Sequence, residues 1–209
     1  DIRSEAAATG AVETAMLTCA MAELGKRLGL PTQGYAGVSD AKELDAQAGL
    51  ETSSGALLAA LSGINSVSGP GLLDLDNGFS LEKLVVDHEI CGMALRLSAG
   101  IEPREDFPAL PILGELLAEK HLLIARHTRR HLRKEITFPG PVVDRSSEAR
   151  WREDGGQSLL SRSAREVERI VGAWTPSRLP ESARTDLVSV MKAAARQAGL
   201  DTLPAREGP

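Results

Sequence analysis

The sequence has few aromatic residues, two cysteines, no long apolar run and no excess of positive charge, and each shortage narrows what the chain can be. No apolar run approaches the roughly 18 to 20 residues that a membrane helix needs, and the first residues, DIRSEAAATG, carry no signal-peptide pattern. A net charge of -5 does not suit a general nucleic-acid binder, although residues 126 to 134 are strongly basic. Cys19 and Cys91 lie in apolar helical patterns without CxxC spacing, so reduced, buried thiols and a cytoplasmic, reducing compartment are expected. No segment is of low complexity. With 42% hydrophobic and 25% charged residues over 209 positions, the composition is that of a globular protein.

What is present alternates in a regular way. Alanine-rich residues 11 to 28 predict a helix ended by Gly25, Gly29 and Pro31. Residues 30 to 35 read as a short strand, and the charged stretch AGVSDAKELDAQAGLE, residues 36 to 51, follows it. A helix starting at Asp40 pairs Asp40 with Glu43 in a capping-box-like way; one starting later takes Asp45 as its N-cap. Either way Leu50, Leu57, Leu58 and Leu61 form an apolar stripe that Gly63 stops, and INSVSG, residues 64 to 69, reads as a second strand running into the acidic loop GPGLLDLDNG. Ser80 caps a helix to about residue 98 with apolar residues on two faces, Leu81, Leu84, Val85, His88 and Leu95 against Val86, Ile90, Met93 and Leu97. Such a helix is expected to be covered on both sides, inward by a sheet and outward by another layer or another subunit. Pro103, Pro108 and Pro111 punctuate a connection to a helix over 112 to 119. Two charged helices, 146 to 173 and 180 to 198, precede a frayed DTLPAREGP.

Strand, loop and helix recur about every 34 residues, the rhythm of a parallel βα array. The fold class expected is α/β, a partial TIM-type (β/α) barrel corresponding to the carboxyl-terminal half, over 1 to 145, with a helical extension over 146 to 209. Two or three strands cannot cover these helices. The missing strands are expected on a preceding segment of a longer chain, as the absence of an initiator Met also leads one to expect.

The run SDAKELDAQAGLE, then LLAALSGINSVSGPGLLD, SLEKLVVDHEI, and HTRRHLRKE with FPGPVVDR and Trp151, resembles the trimethylamine methyltransferase family of corrinoid-dependent methyltransferases, over roughly residues 1 to 156. The resemblance implies the carboxyl-terminal part of a TIM-type barrel. It also implies methyl transfer from a methylated amine to the Co(I) of a corrinoid (cobalamin) carried by a separate partner protein, with no cofactor held tightly by this chain. Only standard residues occur where the founding trimethylamine enzymes carry pyrrolysine, a place that the resemblance puts near residues 36 to 42, so a quaternary amine such as glycine betaine is the substrate expected. A homo-oligomer is expected, with neither nucleic acid nor membrane as partner.

The resemblance places Asp40, Lys42, Asp45, Gln47 and Glu51 at the barrel mouth, with Asp40, Gln47, Glu51 and His127 as the catalytic candidates. Capping and a solvated first turn explain Asp40 or Asp45, but not Gln47 and Glu51 four apart on one face. His127 and His131 are spaced i, i+4 with Glu135 on the same stripe, open to hydrogen bonding near the site, to structural contacts, or to a metal-dependent hydrolase; Thr128 stands where the Glu of HExxH would be. Arg126, Arg129, Arg130, Arg133 and Lys134 read as a solvated face, or as a contact for an acidic corrinoid partner or a phosphate. His88 reads as a core histidine. Asp74 and Asp76 either hold a cationic substrate or make Asx turns. Of the six aromatics, Tyr35, Phe79 and Phe138 fall where an aromatic box for a quaternary ammonium would be built, with core packing as the alternative. The substrate-binding candidates are thus Tyr35, Asp74, Phe79 and His131. The rival from another class is a non-catalytic barrel fragment acting as an oligomerisation or interaction module.

Overall fold

Alanine-rich sequence winds into the first helix, α1 (Val12–Arg27), in the computed structural model, which describes residues 1–3, 5–104, 109–175, 179–200 and 202–203. Its end is a left-handed Gly29 (φ +70°), and the chain turns back into β1 (Gln33–Tyr35), the core of the longer strand expected from residue 30. The middle residue of β1 is Gly34, buried against α1; a Cβ there would collide with the Thr18 side chain. Glycine in this strand is therefore a close-approach device, which lets α1 lie directly on the backbone.

The helix after the charged stretch is α2 (Ala46–Leu61). Asp45, and not Asp40, is its N-cap, accepting from the Ala48 amide at 3.1 Å. Its buried face is small rather than leucine-rich: Ala48, Thr52, Gly55, Ala56 and Ala59 point inward. Leu50, in the expected stripe, is 70% exposed, and Leu61 is also exposed. The reason is proximity. A Cβ on Gly55 would run into the Ala36 carbonyl, so only small residues fit where α2 backs onto the chain leaving β1.

The second strand, β2 (Ser66–Ser68), shorter than the expected 64 to 69, pairs parallel with β1 in the register Gln33↔Ser66, Gly34↔Val67, Tyr35↔Ser68. The expected acidic loop contains a further hairpin, β3 (Leu72–Leu73) and β4 (Gly78–Phe79), antiparallel, closed by a turn in which Asp74, Leu75 and Asp76 all have positive φ, 50°, 56° and 70°. Ser80 caps α3 (Leu81–Ser98), its hydroxyl accepting from the Lys83 amide at 3.1 Å.

Among the described residues one face of α3 is covered, and the other is the face expected to meet another layer or another subunit. Val86, Ile90 and Ala94 join Ala56 and Val142 in the main apolar cluster, while Leu81, Leu84, Leu95 and Leu97 are exposed. A second cluster, Ala41, Ala48 and Leu73, fixes the two strand-end loops against the start of α2. Cys19 and Cys91 are free thiols, half-buried rather than buried.

Beyond Ser98 come α4 (Leu110–Glu119), which takes Pro111 into its first turn, and α5 (Arg126–Glu135). Pro108 lies outside the described residues. The single helix expected over 146 to 173 is two, α6 (Glu148–Glu153) and α7 (Leu159–Gly172), separated at Gly155 and Gly156, both in the left-handed region. The chain divides into two units, Asp1–Val171 and Gly172–Pro209. The second contains α8 (Glu181–Gln197), while most of the expected frayed end DTLPAREGP lies outside the described residues. No described helix is long and apolar enough to cross a membrane.

Candidate functional site

Because β1 and β2 run parallel, their carboxyl ends lie side by side, and the segments 36–45 and 69–80 emerge together. They touch directly. The Asp74 amide donates to the Ala41 carbonyl at 2.9 Å, and Lys42 reaches Asp74 Oδ1 at 3.4 Å while donating to the Asp40 carbonyl at 2.7 Å. The segment 36–41 is not a wetted loop: Ala36, Val38, Ser39 and Ala41 are all buried.

Asp40, Gln47 and Glu51 are brought together, with partners that the spacing did not reveal. Glu51 Oε2 accepts from the Ser39 hydroxyl (2.6 Å) and the Asp40 amide (2.8 Å), and Glu51 Oε1 accepts from Gln47 Nε2 (2.9 Å). Asp40 Oδ1 accepts from the Thr9 hydroxyl (2.8 Å) and the Gly10 amide (2.9 Å). Both carboxylates therefore clamp the segment before α1, the loop after β1 and the first turns of α2 into one piece. Gln47 itself is exposed. Asp74 joins this site through Lys42, whereas Asp76 is exposed in the hairpin turn.

Tyr35 ends β1 and is 53% exposed; Phe79 ends β4, lies over Gly71, and is 57% exposed. Phe138 is exposed as well. These rings are available surface rather than core. His88 is likewise exposed, on the rim of a cleft of about 590 Å³ between α3 and α7 whose wall includes Leu84, Val85, Cys91 and Val142.

The histidines belong to another neighbourhood. His127 and His131 sit on α5 with ring centroids 4.9 Å apart, and Glu135 at the end of that helix pairs with Arg96 (3.3 Å) and Arg104. Arg96 lies in the last turn of α3, thirteen residues and about 20 Å along the axis from Lys83. Among the described residues no group of three or more His, Cys, Asp or Glu gathers as metal ligands would. The Arg126, Arg129, Arg130, Arg133 and Lys134 side chains are exposed.

The most deeply placed ionic group near the strand ends was not read from the sequence at all. Lys83 is 0% exposed and Asp87 1%; Lys83 Nζ donates to Asp87 Oδ2 at 2.5 Å and to Thr52 Oγ1 at 2.9 Å, and the Gly71 amide donates to Asp87 Oδ2 at 2.7 Å. Burial pushes the Asp87 carboxyl above the usual carboxylate range, against the pull of Lys83 and the Gly71 amide. Burial, and after it the Asp87 carboxylate, push the Cys91 thiol up. The signal available was a Lys and an Asp four apart within the stripe 83, 86, 87, 90, 94, where a helix otherwise buries apolar residues.

Against known proteins, residues 1–199 match the family model of trimethylamine methyltransferase (MTTB). The chain belongs to the trimethylamine methyltransferase family. A glycine betaine methyltransferase of Desulfitobacterium hafniense (strain Y51) is 31% identical over 182 residues, covering 87% of this chain and 38% of that protein. A trimethylamine methyltransferase MttB of D. hafniense (strain DSM 10664 / DCB-2) is 28% identical over 192 residues, 92% of this chain and 38% of that protein. The MttB of Methanosarcina barkeri (strain Fusaro / DSM 804) is 31% identical over 173 residues, 82% of this chain and 34% of that protein. The chain thus spans less than two fifths of the length of these relatives. The family match takes in both strand-end segments, the Glu51 clamp and the buried Lys83–Asp87 pair.

Proposed function

We propose that this chain supplies the carboxyl-terminal part of a (β/α) barrel that moves a methyl group from a methylated, quaternary amine to the Co(I) of a corrinoid carried by a separate protein. The observation that carries this reading is the meeting of the two strand-end segments, joined by Lys42–Asp74 and the Asp74–Ala41 backbone bond, with the exposed Tyr35 ring at the end of β1 and the exposed Phe79 ring over Gly71 in the second segment. Open α/β sheets and barrels place their chemistry at this end of the strands. The barrel reading has further support in the two faces of the β1–β2 sheet. Gly34 packs under α1 and Val67 faces Ala56 and Ala94, whereas Gln33, Tyr35 and Ser66 are exposed, the face that a closed barrel turns inward.

The residues suit the substrate class. A quaternary ammonium has no N–H to donate, so recognition falls to aromatic faces and a nearby carboxylate, roles that Tyr35, Phe79 and Asp74 fill. A corrinoid carried by the partner would supply the nucleophile for the methyl group, and because a quaternary ammonium departs as a neutral amine, no residue of this chain is needed to protonate the leaving group. The clamp of Asp40, Gln47 and Glu51 orients the mouth.

The test is loss of Co(I) absorbance on incubation with glycine betaine or trimethylamine and reduced cobalamin, with the upstream barrel half supplied. Tyr35→Ala is expected to raise KM several-fold or more, a lost cation–π contact being worth about 0.5–2 kcal/mol, with little change in thermal stability. An equal loss of stability would return Tyr35 to the core. No loss of Co(I) signal with any methylated amine would favour the second reading, an oligomerisation module. That reading draws on the exposed stripe Leu17, Met21 and Leu24 on α1, with Leu28 just beyond it.

A further inference from the structure

Charges buried this completely call for an explanation. A Lys–Asp pair cut off from water gives up the hydration of both ions, and well-packed apolar residues of similar volume serve stability as well or better. What apolar residues cannot do is hold particular backbone groups at fixed places. The contacts of this pair are of that kind. Lys83 Nζ reaches Thr52 in α2 (2.9 Å), Asp87 in α3 (2.5 Å) and, at 3.5 Å, the Gly37 carbonyl just beyond β1. Asp87 Oδ2 takes the Gly71 amide just beyond β2, at 2.7 Å. One ion pair therefore touches both strand-end segments and both helices that follow them. The surroundings leave little play: a Cβ on Gly37 would press on Pro70, and one on Gly69 would press on Val38. Two residues after Gly37 stands Ser39, whose hydroxyl holds Glu51, so a shift at Gly37 passes straight to the Asp40–Glu51 clamp.

We propose that Lys83 and Asp87 are positioning residues, a buried clasp that sets the separation of the segments 36–45 and 69–80. The structural part of this proposal stands independently of any reaction; its consequence for catalysis rests on the methyl-transfer reading. The clasp explains why a loop amide, that of Gly71, is tied to a carboxylate inside the protein.

Hydrogen exchange on the full chain tests it. In the wild-type protein the Gly71 amide is expected to exchange at least ~1000-fold more slowly than in a free peptide, at a rate typical of core amides. Exchange near the free-peptide rate would overturn the clasp whatever any variant does. In Lys83→Met/Asp87→Leu, which removes both charges together, Gly71 and the buried residues 37–41 are expected to exchange at least ~10-fold faster while the interior of α1 keeps its protection. Unchanged protection in 37–41 and at Gly71, or a uniform rise that includes α1, would overturn the proposal, the latter because it reports general loosening. If the double variant does not fold, the wild-type Gly71 measurement decides. In the Co(I) assay the double variant is expected to lose at least ~10-fold in kcat/KM. Inactivity of the wild-type protein would reject the methyl-transfer reading and leave the exchange result standing.

Discussion

Glu51 uses both carboxylate oxygens on its own chain, and this says most about how far single residues can be read from sequence. That Gln47 and Glu51 share a face follows from helical spacing, whereas the spacing leaves the cap open between Asp40 and Asp45 and the structure places it at Asp45. The partners Ser39 and Asp40 do not follow from it, because they lie twelve and eleven residues back across a loop whose path no periodicity describes. Cys91 offers a residue-scale test. Its thiol is held up by burial and by Asp87, so the folded protein keeps the proton at pH values where an ordinary thiol ionises. In a Cys19→Ser variant, alkylation of Cys91 at pH 8 is expected to be slower than that of a free cysteine peptide, with a rate midpoint above the ordinary thiol value. The sign for stability follows. The unfolded chain ionises first, so this group's contribution is complete below the unfolded value and is lost as pH rises through the folded one. Alkylation at the peptide rate would show Cys91 to be open to water.

Elements were legible where breakers and caps punctuate them. Ser80 and Asp45 mark true helix starts, and the β1-to-β2 repeat of thirty-three residues matches the rhythm of the sequence. Which face of each helix is buried was read less well. Leucine content pointed to the wrong side of α2, because contact with the backbone at Ala36 selects for the absence of side chain, a demand that hydrophobicity does not express. Gly55→Ala is accordingly expected to destabilise the fold by about 1–3 kcal/mol, measured by urea unfolding, although alanine is the better helix former by about 1 kcal/mol. A gain in stability would mean that α2 stands farther from the loop. The division of α6 from α7 escaped notice because Gly155 and Gly156 sit among charged residues that continue a helical pattern on both sides.

For the molecule as a whole, composition and periodicity carry no measure of how much apolar surface stays open. Leu17, Met21 and Leu24 form an uncharged exposed stripe along α1. Replacing them together by Glu, Lys and Gln is expected to change stability by less than about 0.5 kcal/mol per site while lowering self-association in sedimentation experiments. A large loss of stability would show that these side chains pack inside. The exposed face of the β1–β2 sheet, with Gln33 donating to Ser68 at 2.6 Å, is a second open surface of the same unit.

The parallel pairing of β1 with β2 also governs how this unit comes into being. Strands paired in this sense cannot be joined by a tight turn, and here the intervening chain is α2. Gln33 must find Ser66 across that helix, so the pairing cannot close early and cheaply as a hairpin does. Closing this sheet therefore carries the loop entropy of the whole connection between Tyr35 and Ser66, so its pairing is bound to the folding of α2 and not independent of it.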